Sequence, residues 1–134
     1  MKNVALFLVI CCSLQLFSCG KDSNSENFKL LTGHVWTSDS LLVNGVDASG
    51  PGELLENFKG DAIFKEDHTG NFGTYTGTWR FAFNETQIVI SSEALPISLT
   101  AIIAELNETS LKITTSYTLS ATETLNVRMT FKAK

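Results

Sequence analysis

Residues 125–132 read LNVRMTFK, and this stretch decides the fold of the chain. The apolar side chains of Leu125, Val127, Met129 and Phe131 alternate with polar ones. Successive side chains of a β-strand point to opposite faces, so this alternation predicts a strand with one buried and one exposed face. An antiparallel sheet that covers a single core requires such strands.

Shorter runs of the same kind occur upstream, bounded by turn sequences such as Asn44-Gly45 and residues 67–70 (DHTG). No long segment has a helical period, so the chain is predicted to be all-β. Eight strands are predicted, and their ranges are 34–43, 61–65, 71–75, 78–83, 87–91, 97–106, 111–118 and 123–132. Gly77 is taken as the break between the third and fourth strands, and Trp79, Phe81 and Phe83 are expected to share one buried face.

Short strands joined by near-neighbour turns favour a closed barrel, because closure removes the exposed edges of a flat sheet. The predicted fold is therefore an eight-stranded antiparallel up-and-down barrel, with a two-layer sandwich as the alternative. A short helical turn is predicted before the first strand, with Ser25 and Glu26 at its start and Gly33 at its end.

The amino-terminal residues have the pattern of a bacterial lipoprotein signal. Lys2 precedes an apolar run over residues 4–14, and residues 16–19 (LFSC) place the small Ser18 before Cys19. The run is too short to span a bilayer as a stable helix. We therefore predict a signal peptide over residues 1–18, lipidation of the Cys19 thiol, a lipidated flexible linker over residues 19–27 and a barrel domain over residues 28–134.

This interpretation accounts for all three cysteines, because Cys11 and Cys12 leave with the signal peptide and Cys19 carries lipid, for example palmitate. The predicted partner of the anchor is the bacterial outer membrane, on its periplasmic or its cell-surface face. The chain has a formal net charge of -4 and no basic cluster, so nucleic acid is not expected as a partner.

Three segments carry a resemblance to a known family, namely residues 31–36 (LTGHVW), 63–70 (IFKEDHTG) and 75–81 (YTGTWRF). They resemble the lipocalin-like lipoproteins common in Bacteroidetes, and the resemblance covers residues 28–134. It implies a lipocalin-like barrel whose inward side chains surround a small hydrophobic ligand. The residues that would line this site are Trp36, Phe64, Phe72, Trp79, Phe81, Ile113, Tyr117, Val127 and Met129. Two residues separate Gly33 from Trp36 where lipocalins have one, which predicts a bulge or a register shift near the barrel floor.

No catalytic, metal-binding or cofactor-binding set is predicted. His34 and His68 are the only histidines, and His68 is expected to be a solvated turn residue beside Glu66 and Asp67. No nucleophile, base and orienting carboxylate stand in a recognised arrangement. Two functional classes stay open, a carrier of a small hydrophobic ligand in the barrel and a solid-core accessory subunit of an envelope protein complex. A packed barrel needs the same inward aromatic residues as a ligand-binding one.

Overall fold

The structure is a computed structural model that describes residues 25–134 of the chain. The predicted signal peptide (residues 1–18), the predicted lipidation site Cys19 and residues 20–24 of the predicted linker lie outside the described residues. Within residues 25–134, no helix has the length and hydropathy needed to cross a membrane.

The helix α1 spans Glu26–Thr32 and stands before the first strand. The Ser25 hydroxyl accepts a hydrogen bond from the Phe28 N–H at 3.0 Å, which satisfies one of the free donors of the first turn. Gly33 occupies the C-cap. The predicted helical turn between Ser25 and Gly33 is confirmed, and it includes the last two residues of the segment predicted as linker.

Nine strands follow in the described part of the chain. Their ranges are β1 Val35–Val43, β2 Val46–Asp47, β3 Asp61–Phe64, β4 Thr69–Phe72, β5 Tyr75–Ala82, β6 Gln87–Ser92, β7 Leu99–Leu106, β8 Ser110–Ser120 and β9 Glu123–Ala133. A single 3₁₀ turn at Glu56–Phe58 lies in the loop between β2 and β3.

Pairing between the first and last strands closes the sheet. Strand β1 is antiparallel to β3 on one side and to β9 on the other, and each strand from β3 to β9 pairs with its neighbour in the chain. Strand β2 has two residues and forms a small hairpin on the end of β1. The barrel itself therefore has eight strands, and the predicted all-β, eight-stranded antiparallel up-and-down barrel with a short helical turn is confirmed.

The bulge expected near the barrel floor lies further along β1. Trp36 pairs in regular register with Ala62 of β3 and Ala133 of β9. The register of β1 against β9 shifts between Ser38 and Ser40 instead. Trp36 pairs with a strand on each side, and this keeps its register regular. The irregularity lies further along β1, where β1 no longer pairs with β3 but still pairs with β9.

The predicted break at Gly77 is wrong, because the turn lies at Gly73 and Thr74. Gly73 has a φ of 63°, and a Cβ on it would overlap the Asn57 carbonyl oxygen. Gly77 lies inside β5 and pairs with Gly70 of β4 and Ser92 of β6. Gly77 is therefore a close-approach residue inside the sheet and not a turn residue.

Phe83 was expected on the buried face with Trp79 and Phe81, and this expectation is also wrong. Strand β5 ends at Ala82, and Phe83 has a φ of 51° and is 73% exposed. The alternation breaks because Phe83, Asn84 and Glu85 all adopt positive φ in the turn to β6.

We expect Gly77→Ala to lower the free energy of unfolding by about 1–3 kcal/mol, the usual cost of overpacking. A Cβ at this position would overlap the Ser91 carbonyl oxygen, which belongs to the paired backbone of β6 and cannot turn away. Urea unfolding of both proteins measures the difference.

Gly50→Ala is the matched control, because its Cβ would lie 3.1 Å from the flexible Glu53 carboxylate, which can move. Its expected effect is within about 0.5 kcal/mol. Equal destabilisation by the two variants would contradict the close-approach role of Gly77.

Candidate functional site

The nine residues predicted to line a ligand site all lie in or against one hydrophobic core. Seven of them are at most 2% exposed, and Phe81 and Tyr117 are half-buried at its margin. The seven are Trp36, Phe64, Phe72, Trp79, Ile113, Val127 and Met129. The structure therefore brings the predicted set together inside the barrel, and whether a ligand binds among them stays a prediction.

Aromatic rings fill much of this interior by touching one another. The Phe64 ring lies 5.2 Å from Phe72 and 5.7 Å from Trp79, and the second pair is edge-on at 89°. Trp79 also meets Phe81 edge-on at 5.3 Å and 87°. Edge-to-face pairs at these separations are favourable packing arrangements.

The polar atoms of the two indoles find partners within the protein. The Trp36 Nε1–H donates to the Leu31 carbonyl at 3.0 Å, which joins the barrel to the end of α1. The Trp79 Nε1–H donates to the Lys65 carbonyl at 2.9 Å. Neither indole N–H is left to orient a ligand, so both tryptophans act as packed core residues in this structure.

Two segments outside the barrel strands contribute to the same core. The helix α1 contributes Phe28 and Leu31, at 3% and 0% exposure. The loop after β2 contributes Ala48, Leu55 and Phe58, all buried in the same cluster. The helix covers the barrel where β1 begins, and the loop runs beside the second half of β1, where the Ala48 N–H donates to the Leu41 carbonyl at 2.9 Å.

A concave surface of about 880 Å³ lies on the outside of the barrel wall. We call it the outer trough, and it is defined by a row of residues on five strands, which are Gln87, Ile102, Thr114, Arg128 and Leu42. Each of these residues pairs with the next across neighbouring strands β6, β7, β8, β9 and β1. Asn44 and Asn126 also line the trough, to one side of this row.

The alternation of β8 and β9 places this row on the outer face. Ile113 and Val127 are each 2% exposed and point into the core. Thr114 and Arg128 follow them directly in the chain and therefore point outward. Of the nine predicted lining residues, only Val127 also borders the outer trough.

The outer wall beside the trough has an apolar element of its own. Val89 is 7% exposed but does not belong to the core cluster. It pairs with Arg80 of β5 and with Thr100 of β7, which lines the trough. Val89 is thus an outward aliphatic side chain that is shielded from water beside Thr100.

Arg128 is the single charged residue of the trough lining. Nearby lysines of β8 and β9 are neutralised, since Lys112 pairs with Glu105 at 3.2 Å and Lys132 pairs with Asp39 at 3.2 Å. The Ser110 hydroxyl, and after it Lys112, lowers the pKa of Glu105, so this carboxylate stays ionised and paired. Arg128 has no such ion pair within the described residues.

Asn44 and Asn126 form a linked pair next to Arg128. The backbone N–H of Asn126 donates to the Asn44 Oδ1 at 2.9 Å, and the Asn44 N–H donates to the Asn126 carbonyl. The Ser116 hydroxyl donates to the Asn126 Oδ1 at 3.0 Å. Both amide oxygens are thereby occupied, and both NH₂ groups remain as donors at the trough.

His68 differs from the solvated residue expected from the sequence. Its ring is half-buried and lies 4.9 Å from the Trp79 ring, and its Nδ1 is 3.2 Å from the Trp79 carbonyl. The His34 ring packs 5.3 Å from Trp36. Across residues 25–134, no three His, Cys, Asp or Glu side chains approach one another as a metal site would require.

Sequence reasoning missed the outer trough. The available signal was the outward half of the strand pattern, where Thr114, Ser116 and Asn126 surround a lone arginine. Comparison with known proteins adds no assignment, because no family model and no curated protein matches the chain.

Proposed function

We propose that this chain is a non-catalytic recognition domain of a bacterial envelope lipoprotein, held on the outer membrane by lipid on Cys19. Its barrel is a packed support of lipocalin-like shape, and its partner binds on the outer wall. This proposal takes the solid core of the second class derived from the sequence and adds the outer trough as the partner site. The lipoprotein signal over residues 16–19 supports the anchor.

One contrast carries the proposal. The inward aromatic residues Trp36, Phe72 and Trp79 are at most 2% exposed, whereas the outer trough offers about 880 Å³ to solvent. Binding sites for small molecules usually have volumes of about 300–1,000 Å³. The outer wall thus presents room for a partner without any rearrangement of the core.

A small hydrophobic ligand inside the barrel is the second candidate, and one observation favours it. Tyr117 and Leu125, which face each other across β8 and β9, are only partly buried where these strands run beyond the core. Burial nevertheless raises the pKa of the Tyr117 phenol above its usual range. Native mass spectrometry of the intact lipoprotein with added fatty acid tests this candidate, and stoichiometric retention would support it.

Site-specific photocrosslinking in cells tests the main proposal. Ile102→p-benzoylphenylalanine places the probe in the outer trough at a position that is 54% exposed. Leu54→p-benzoylphenylalanine is the matched control, because Leu54 is 57% exposed and lies outside the trough. We expect one repeated adduct from position 102 and none from position 54. Equal labelling at the two positions, or no adduct at either, would contradict the proposal.

A further inference from the structure

We propose that the outer trough binds a hydroxyl-rich ligand with a single carboxylate, a sugar acid or a short acidic oligosaccharide. Arg128 receives the carboxylate, and the neutral amides and hydroxyls of the trough receive the hydroxyl groups. This inference rests on the proposed function and adds the chemical class of the ligand.

The charge of the trough is the first argument. Its lining holds one cation and no acid, in a chain that has 14 acidic and 10 basic residues. Arg128 pairs with Leu42 of β1, and Leu42 pairs with Asp47 of β2. Asp47 is therefore the first acidic residue along this row of paired residues. The Asp47 Oδ1 already accepts hydrogen bonds from the Ser49 N–H and hydroxyl. An anion therefore meets a positive site without a competing carboxylate in the lining.

The second argument is that hydrogen-bond donors surround Arg128. The orientation of the Asn44 amide is fixed, because its oxygen accepts a hydrogen bond from the backbone N–H of Asn126. Its NH₂ group then points away from that N–H. Asn126 lies on the same strand face as Arg128, two residues away, and two hydrogen bonds join it to Asn44. A guanidinium and two amide donors in one lining match the acceptor oxygens of a carboxylate.

The third argument is that the rest of the lining is neutral. Gln87, Thr100 and Thr114 supply an amide and two hydroxyls, groups that can each both donate and accept. The Ser116 hydroxyl already donates to Asn126 and can accept. One cation suits one negative charge, whereas a nucleic acid or a polyphosphate would need several. A fatty acid would need a continuous apolar channel for its tail, but Thr114 and Arg128 separate the apolar residues Ile102 and Leu42 along the row. A ligand with one carboxylate and several hydroxyls fits this set.

The site is also held in position before any ligand binds. Asn44 and Gly45 form a tight turn with φ values of 51° and 81°, which fixes the Asn44 side chain against β9. Arg128 lies in the middle of β9, and β8 and β1 pair with it on either side. Side chains on paired strands lose little backbone freedom on binding, which lowers the cost of association.

Isothermal titration calorimetry of the full chain in detergent tests the inference, with galacturonate, which carries one carboxylate, as the probe. We expect saturable binding of the acid and at least about tenfold weaker binding of neutral galactose, since a charge-assisted hydrogen bond is lost. Arg128→Gln is expected to weaken the binding of galacturonate by about tenfold or more. Arg128→Lys should weaken it by less, because lysine keeps the charge but lacks the planar guanidinium.

Arg80→Gln is the matched control, since Arg80 is an exposed outward residue of β5 outside the trough lining. It should leave binding unchanged. The inference would be overturned if galacturonate showed no saturable binding, or if wild type and Arg128→Gln bound it equally well. Tighter binding of a triglutamate peptide than of galacturonate would also overturn it. Failure here together with a repeated adduct from position 102 would leave the proposed function standing and reject only this ligand class.

Discussion

Replacement of Trp79 by alanine is expected to lower the free energy of unfolding by about 3–5 kcal/mol, the usual cost of removing a large buried aromatic residue. Trp79 is 2% exposed and contacts the rings of Phe28, Phe64 and Phe81 at 5.3–5.7 Å. The substitution also removes one of two donors to the Lys65 carbonyl, the other being the His68 N–H. A domain is stable by only about 5–15 kcal/mol in total, so the variant should lose a large part of its stability.

Urea unfolding, followed by circular dichroism because one of the two tryptophan fluorophores is lost, measures this effect. Phe83→Ala is the control, because Phe83 continues the alternation of Trp79 and Phe81 in the sequence but is 73% exposed. Its expected effect is within about 0.5 kcal/mol. A loss at Phe83 comparable with the loss at Trp79 would show that the turn after β5 packs differently from the structure described above.

The barrel could be predicted from the sequence because its determinants are local. Alternation over residues 125–132 predicts β9 and its buried face, and Val127 and Met129 are indeed at most 2% exposed. Asn44-Gly45 predicts a tight hairpin turn, and both residues have positive φ. Each signal lies within a few neighbouring residues, so no knowledge of the rest of the fold is needed.

Gly77 and Phe83 were misplaced because their environment comes from distant residues. A glycine in a strand run looks like a turn residue until the Ser91 carbonyl of β6 is seen to approach it. Phe83 continues a two-residue period, and only the turn with positive φ from Phe83 to Glu85 removes it from the core. His68 was predicted to be solvated for the same reason, since the Trp79 ring that packs against it lies on β5 and is distant in the sequence.

The outer trough could not be predicted, because it depends on the register of five strands. Gln87, Ile102, Thr114, Arg128 and Leu42 are spread over the chain and share a row only through strand pairing. A slip of one residue in any strand would turn its side chain to the other face. The inward aromatic pattern, in turn, is the same for a packed barrel and for a ligand carrier, so it could not decide between them.

Cys19→Ser is expected to abolish the attachment of the chain to the outer membrane. The thiol is the predicted acceptor of the lipid, and the serine hydroxyl cannot replace it in that modification. Each buried methylene of an acyl chain contributes about 0.8 kcal/mol to membrane binding, and a second chain already makes the anchor stable. Metabolic labelling with palmitate and intact-mass measurement of the amino-terminal peptide should show complete loss of the label and of cleavage before residue 19.

Cys11→Ser and Cys12→Ser are the matched controls, because they make the same replacement of sulfur by oxygen at positions within the predicted signal peptide. Both variants should be labelled, cleaved and anchored like the wild type. Retained label in Cys19→Ser, or loss of label in either control, would place the modification elsewhere and remove the support for an envelope location. The barrel should fold in all three variants, since the core described for residues 25–134 is built from Phe28 onward. Any change in localisation can then be assigned to the anchor and not to unfolding.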